Sequence, residues 1–174
     1  DEIIEKYRIR QSGFAGMNHL CPDLEIGLTL GWKGLLEKVR HYREKNDPVD
    51  PDFYDGEEEL LLGILEWVKA HADYAEELAE KESDPFRRQN YLEIAQANRN
   101  LTEAPPRTFR EVCQFLAHFQ SVDRMYYVGG ALGRMDMLLQ PYYEKDTENG
   151  AITEEEAVWM IACLLFNDTH YAQI

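Results

Sequence analysis

The sequence has no stretch long and apolar enough to cross a bilayer. A helical span needs about 20 apolar residues, and the richest segment, Ala157 to Phe166, is shorter than that. No membrane partner is therefore expected. Basic residues are scarce too: 18 Lys and Arg stand against 33 Asp and Glu, a formal charge of −15. Such a surface repels phosphate backbones, which argues against nucleic acid as a partner. Cysteine is limited to Cys21, Cys113 and Cys163, none in C-x-x-C spacing. That argues against a disulfide framework and suits a reducing cytoplasm. No secretory leader is visible, since residues 1–10 are charged throughout.

Motifs that carry chemistry are missing as well. His41, His71, His118 and His170 have no E-x-x-H, H-x-x-x-H or Cys/His spacing around them, so no metal site is expected. There is no G-x-S-x-G, and Gly129-Gly130-Ala131-Leu132-Gly133 lacks the lysine and the strand-to-helix setting of a phosphate loop. Carboxylates are spread over solvated faces without a distinct acid/base pair. The chain starts at Asp1, and its last helix pattern runs into Ile174 without a stop signal. The expectation is a single segment, residues 1–174, of a larger domain.

What is present reads almost wholly as helix. Residues 1–10 form a charged helix end or extended lead-in, and the glycine-rich Arg10 to Asp23 is strand or loop. Asp23 caps a helix from about Leu24 to Glu44 with Leu28, Trp32, Leu35, Val39 and Tyr42 on its apolar stripe. Gly27, Gly31 and Gly34 share one face of it, which calls for a strand or helix backbone packed very close. Asn46 to Gly56, with Pro48, Pro51 and four aspartates, reads as an acidic surface loop. An amphipathic helix follows from Glu57 to Glu82, then Asp84 and Pro85 start another that fades at Asn98 to Asn100. Pro105-Pro106 fixes the entry to a further helix. There Thr108 and Glu111 have capping-box spacing, and Phe109, Val112, Cys113, Leu116, Phe119 and Val122 keep a helical period. Gly129 and Gly130 allow a sharp reversal before a short helix ending in Tyr142 and Tyr143. Thr153 and Glu156 form a second capping box, opening a helix over Ala157 to Phe166 that is apolar almost all round, as a fully buried helix would be.

Four pieces, in order, carry a resemblance: PPRTFRE at 105–111, LGRMD at 132–136, PYYEKD at 141–146 and ITEEEA at 152–157. So does His19-Leu20-Cys21-Pro22-Asp23-Leu24 leading into Gly31-Trp32-Lys33-Gly34-Leu35, with Leu24 in place of a usual tyrosine. The pattern resembles the glycyl radical enzymes, relatives of pyruvate formate-lyase and glycerol dehydratase.

The resemblance implies part of a ten-stranded α/β barrel, commonly a homodimer, mostly α in this segment. It implies radical cleavage of a C–C or C–heteroatom bond of a small-molecule substrate by a lyase, dehydratase or decarboxylase. A separate S-adenosylmethionine-dependent iron–sulfur activating enzyme would install the glycyl radical. The family's catalytic cysteine loop and radical-bearing glycine loop have no match here, so no catalytic residue is assigned and the segment alone is expected to be inactive. Cys21, Cys113 and Cys163 lack the catalytic context. The substrate-binding candidates are His19, Val128 and Gly129. His19 matches a histidine that hydrogen-bonds a substrate hydroxyl, or else is a turn histidine beside Pro22. Val128 and Gly129 stand where the dehydratase has a His-Ser pair, which opens space, removes donors and disfavours a polyol held the same way. Tyr126 and Tyr127 line the same cavity or pack at a helix end. The reading from a different class is a self-contained acidic helical binding or scaffold module.

Overall fold

A computed structural model describes residues 21–126 and 132–171. The expectations for residues 1–20, for His19, and for Tyr127 to Ala131, with Val128 and Gly129, lie outside the described residues.

Six helices account for nearly all of the described chain: α1 (Leu24–Asn46), α2 (Asp52–Lys81), α3 (Pro85–Glu103), α4 (Phe109–Tyr126), α5 (Met135–Glu148) and α6 (Glu154–Tyr171). Their starts are dictated locally. Asp23 Oδ1 accepts from Ile26 N at 3.3 Å, and Asp84 Oδ1 accepts from Arg87 N at 2.8 Å with Pro85 in the first turn. Both capping boxes form. Glu111 N donates to Thr108 Oγ1 (3.2 Å) while Thr108 N donates back to Glu111 Oε2 (3.2 Å). Glu156 N donates to Thr153 Oγ1 (3.2 Å) and Thr153 N to Glu156 Oε2 (2.8 Å). Each cap satisfies amides that a helix start leaves without partners.

Helix α2 folds back on α3, α1 packs on both, and α4 joins α3, α5 and α6. Surface ion pairs stitch the first three. Arg99 donates to Glu76 (3.0 and 2.6 Å) and Asp73 (2.7 Å), and Arg40 donates to Glu58 (2.8 and 2.7 Å). The core centres on α4, where Phe109, Val112, Phe115 and Leu116 are wholly buried together with Val68 and Leu101.

Four expectations need correction. The acidic loop is shorter than Asn46 to Gly56: α2 already begins at Asp52, where Asp52 and Asp55 sit in a first turn that favours negative charge. Arg43 pairs with Asp55 at 2.5 Å and holds that turn to α1. Helix α3 does not fade at Asn98 to Asn100 but runs to Glu103. There Asn98 Nδ2 donates to Ile94 O (2.9 Å) and Asn100 Nδ2 to the Glu111 carboxylate (2.7 Å), so neither amide competes with the helix.

The glycine face of α1 is not one face. Gly31 has φ +66° and kinks the helix, and a Cβ there would lie 2.8 Å from Pro105 N and 2.9 Å from Pro105 Cα. Its neighbour is neither strand nor helix but the extended link around Ala104 and Pro105. Gly27 makes room for the Phe115 ring, 3.0 Å from where a Cβ would sit, whereas Gly34 meets only Leu30 of its own helix.

Finally, α6 is not fully buried among the described residues. Val158, Trp159 and Leu165 are 60%, 65% and 46% exposed, Ala157 and Leu164 are buried, and Met160 and Ile161 are half-buried against the core.

Candidate functional site

Two of the sequence motifs are bound directly to each other. Phe109 N, at the start of α4, donates to the buried carboxylate of Asp146 at 2.6 Å. The neighbouring Lys145 ammonium donates to Arg107 O. Glu111, also buried, accepts from Arg107 N (2.6 Å), Thr108 N and Asn100 Nδ2, so its carboxylate is fully engaged. PPRTFRE and PYYEKD therefore hold one joint between α3, α4 and α5. Both carboxylates serve backbone amides and leave no lone acid or base free for chemistry.

The described flanks of the candidate substrate residues meet at a second joint. Cys21 stands two residues after His19, and Gly133 four residues after Gly129. Cys21 Sγ occupies the space where a Cβ on Gly133 would be, and Cys21 Cβ lies 3.9 Å from that position, at ordinary contact distance. Gly133 has φ +64°, a conformation that glycine adopts without the Cβ penalty. Each partner is anchored on its helix side. Leu24 N donates to Pro22 O (2.9 Å) next to the Asp23 cap, and Met135 N donates to Gly133 O (3.1 Å). The Arg134 guanidinium binds Asp136 through two hydrogen bonds (2.8 and 2.6 Å), which holds the Asp136 carboxyl down at about 2. The start of α1 thus touches the start of α5, though the two helices share no extensive interface.

A cavity of about 730 Å³ opens between α3, α4 and α6, lined by Phe86, Ile94, Cys113, Ala117, Trp159 and Leu164. Its polar edge is the Arg110 guanidinium, paired with Glu93 at 2.6 Å and donating to Asn90 at 3.3 Å. Burial pushes the Cys113 thiol up to about 12, so it stays protonated and is no nucleophile. The cavity holds no activated group. Among the described residues no three His, Cys, Asp or Glu side chains are grouped to hold a metal ion, and no helix is long and apolar enough to cross a membrane.

Sequence reasoning missed His118 and its surroundings. The ring is 2% exposed and stacks edge-on with Trp67 and His71, centroids at 5.2 and 5.9 Å. Burial, helped by the charge of His71, depresses its pKa to about 3. The Gln114 amide meets its Nε2 at 3.0 Å, while Nδ1 and both amide atoms of the buried Gln120 have no partner among the described residues. Only helical projection of α4 could have flagged these positions, and their polarity pointed the other way. Asp146 left no signal beyond its place in PYYEKD.

The comparisons with known proteins agree on one group. The family model described as pyruvate formate lyase-like matches residues 4–174. The chain is 39% identical over 173 residues to an isethionate sulfite-lyase of Desulfovibrio desulfuricans, covering 93% of this chain and 21% of that protein. It is 30% identical to the glycyl radical subunit of a 4-hydroxyphenylacetate decarboxylase of Clostridium scatologenes, covering 92% of this chain and 17% of that one. Among solved structures, a protein of 1,2-propanediol dehydration in Roseburia inulinivorans is 35% identical, with a TM-score of 0.77 over 88% of this chain and 20% of that chain. The chain spans about a fifth of the length of the curated relatives it matches.

Proposed function

Because the chain belongs to the pyruvate formate lyase-like family of glycyl radical enzymes, we propose that it is one part of an enzyme that cleaves a C–C or C–heteroatom bond of a small organic substrate by radical chemistry. His19, Val128 and Gly129 face that substrate. The observation that supports this reading is the contact of Cys21 with Gly133, because it draws together the described ends of the two segments that carry those residues.

Val128 and Gly129 offer no side-chain donor, so the substrate is bulkier or less polar than a polyol held by two hydroxyl contacts. His19 supplies the hydrogen bond that orients it. The larger protein folds as a ten-stranded α/β barrel, with this segment contributing outer helices and part of the cavity wall. A closed cavity is what a hydrogen-abstracting radical requires, since water, oxygen and stray hydrogen donors would quench it. The radical is installed by an S-adenosylmethionine-dependent iron–sulfur activating enzyme. The protein is a cytoplasmic homodimer. The 174 residues alone carry neither the catalytic cysteine loop nor the radical glycine loop and are inactive. Against a self-contained binding module stand Val158, Trp159 and Leu165 on α6, whose apolar surface a finished bundle would cover.

The test is anaerobic activation of the full-length protein, followed by assay with isethionate, 4-hydroxyphenylacetate, 1,2-propanediol and glycerol. We expect a glycyl radical signal by electron paramagnetic resonance, and turnover of a compound other than the two polyols. His19→Ala should raise KM for that compound about tenfold or more, as loss of an orienting hydrogen bond does. Absence of the radical, or glycerol as the preferred substrate, would sink the reading.

A further inference from the structure

We propose that the groove between α3, α4 and α6 seats an apolar segment of the same polypeptide from outside residues 1–174, whose side chains fill the space between Phe86 and Trp159. The inference rests on the reading of this chain as one part of a longer enzyme, and it does not depend on which reaction that enzyme performs.

The groove is an opening into the core rather than a pocket apart from it. Cys113 on α4 and Leu164 on α6 belong both to its lining and to the buried core. At its edges Phe86 on α3 and Trp159 on α6 are 84% and 65% exposed, so two large aromatic side chains stand largely in water. The exposed apolar surface continues on α6 through Val158 and Leu165. Contiguous apolar surface of this kind marks either a ligand groove or a protein contact.

The polar rim decides between the two. A small-molecule site keeps a few polar groups directed at its ligand. Here the Arg110 guanidinium is engaged by Glu93 (2.6 Å) and Asn90 (3.3 Å), the Gln114 amide by His118 (3.0 Å), and the Glu156 carboxylate by the Thr153 amide (2.8 Å) and hydroxyl (2.9 Å). What the groove offers is packing surface, the complement of apolar side chains. A second copy of the chain is the poorer occupant. A two-fold interface sets one patch against itself, and this patch borders the exposed Glu154, Glu155 and Glu156 in a chain of net charge −15. The longer polypeptide has length enough to supply the segment, since the chain covers 21% and 17% of two curated relatives. A longer chain also buries a larger share of its surface on folding.

Cys163 provides a readout without mutation, because its thiol lines the groove and is exposed among the described residues. The full-length protein, not activated and kept reduced, is alkylated with N-ethylmaleimide, and the Cys163 peptide is followed by mass spectrometry. Alkylation should run about 100-fold or more slower in the native protein than in the same protein unfolded in urea, because the covering segment must first open. A second arm places the photo-crosslinker p-benzoylphenylalanine at position 159 of the full-length protein. The product should run at monomer mass and join position 159 to a peptide outside residues 1–174.

Alkylation within about threefold of the unfolded rate means an open groove and overturns the proposal. So does a cross-link at twice the monomer mass, which gives the face to a second copy, or one that returns to residues 1–174. A protected thiol with no protein cross-link gives the groove to a small molecule and overturns it too. Neither arm uses the radical, so the two readings fail separately. Fast alkylation with a glycyl radical signal removes the docked segment and leaves the function proposed above; the expected cross-link in a protein that forms no radical does the reverse.

Discussion

The contact between α1 and α4 and the outer face of α6 are equally apolar in sequence and opposite in outcome. At the first, Gly27 admits the Phe115 ring, Trp32 stacks on it at 4.5 Å, and Gly31 lets the backbone of Pro105 approach within van der Waals distance. At the second, Val158, Trp159 and Leu165 stay largely exposed, Trp159 only edging the cavity against α3 and α4. Burial needs a partner as well as an apolar residue. The glycines mark where that partner lies within these residues. Among the described residues no such complement covers the outer face of α6, in a chain that spans about a fifth of its curated relatives.

The first way to break this comparison is at the kink. Gly31→Val places a branched Cβ against backbone atoms that cannot yield, at a φ that β-branched residues avoid. Strain and overpacking together should cost more than about 4 kcal/mol. Urea unfolding of the 174-residue chain measures it; a loss under 1 kcal/mol would show that the link at Pro105 moves freely. Phe115→Ala, in the same region, removes a wholly buried ring that stacks on Trp32. A loss of about 3–4 kcal/mol is expected, as for other buried aromatics.

His118 sharpens the contrast through pH. Its pKa falls from the ordinary value of 6.5 to about 3 because burial, and then the charge of His71, disfavours the cation. The unfolded chain therefore binds a proton that the folded chain refuses. The stability tied to a neutral ring is complete above pH 6.5 and drains away as pH falls toward 3. One extra proton bound on unfolding gives a slope of at most about 1.4 kcal/mol per pH unit in that window. His118→Phe should flatten the curve by that amount, read from unfolding midpoints at successive pH values. An unchanged slope would mean that the ring is hydrated.

Features set by a few neighbouring residues were legible in the sequence. The caps at Asp23, Asp84, Thr108 and Thr153 all form, because a side chain two or three positions from an amide finds it whatever the rest of the fold does. Features set by distant neighbours were not. The positive φ of Gly31 follows from the arrival of Pro105, more than 70 residues later. Glu111, His118, Gln120 and Asp146 are buried by elements remote in the chain, and their polarity hid it. The loop at 46–56 shrank because Arg43 on α1 meets Asp55 on α2, a pairing no local pattern announces. Of the candidate site, the sequence supplied the two motifs and the described residues supply the meeting of their flanks at Cys21 and Gly133. His19, Val128 and Gly129 lie outside the described residues.

The smallest expected effect decides what the comparison is worth. Trp159 is the largest side chain on the outer face of α6 and is 65% exposed, lining the cavity with only part of its ring. In the 174-residue chain Trp159→Ser should cost no more than about 0.5–1 kcal/mol, because most of the apolar area it would lose is already in water. Phe115→Ala removes a smaller ring and should cost several times more. If the two losses came out equal, α6 would be packed as tightly as α4 and the apolar run from Ala157 to Phe166 would be ordinary core. If they differ as expected, the same residue class contributes differently on the two helices, and the difference is set by what each faces.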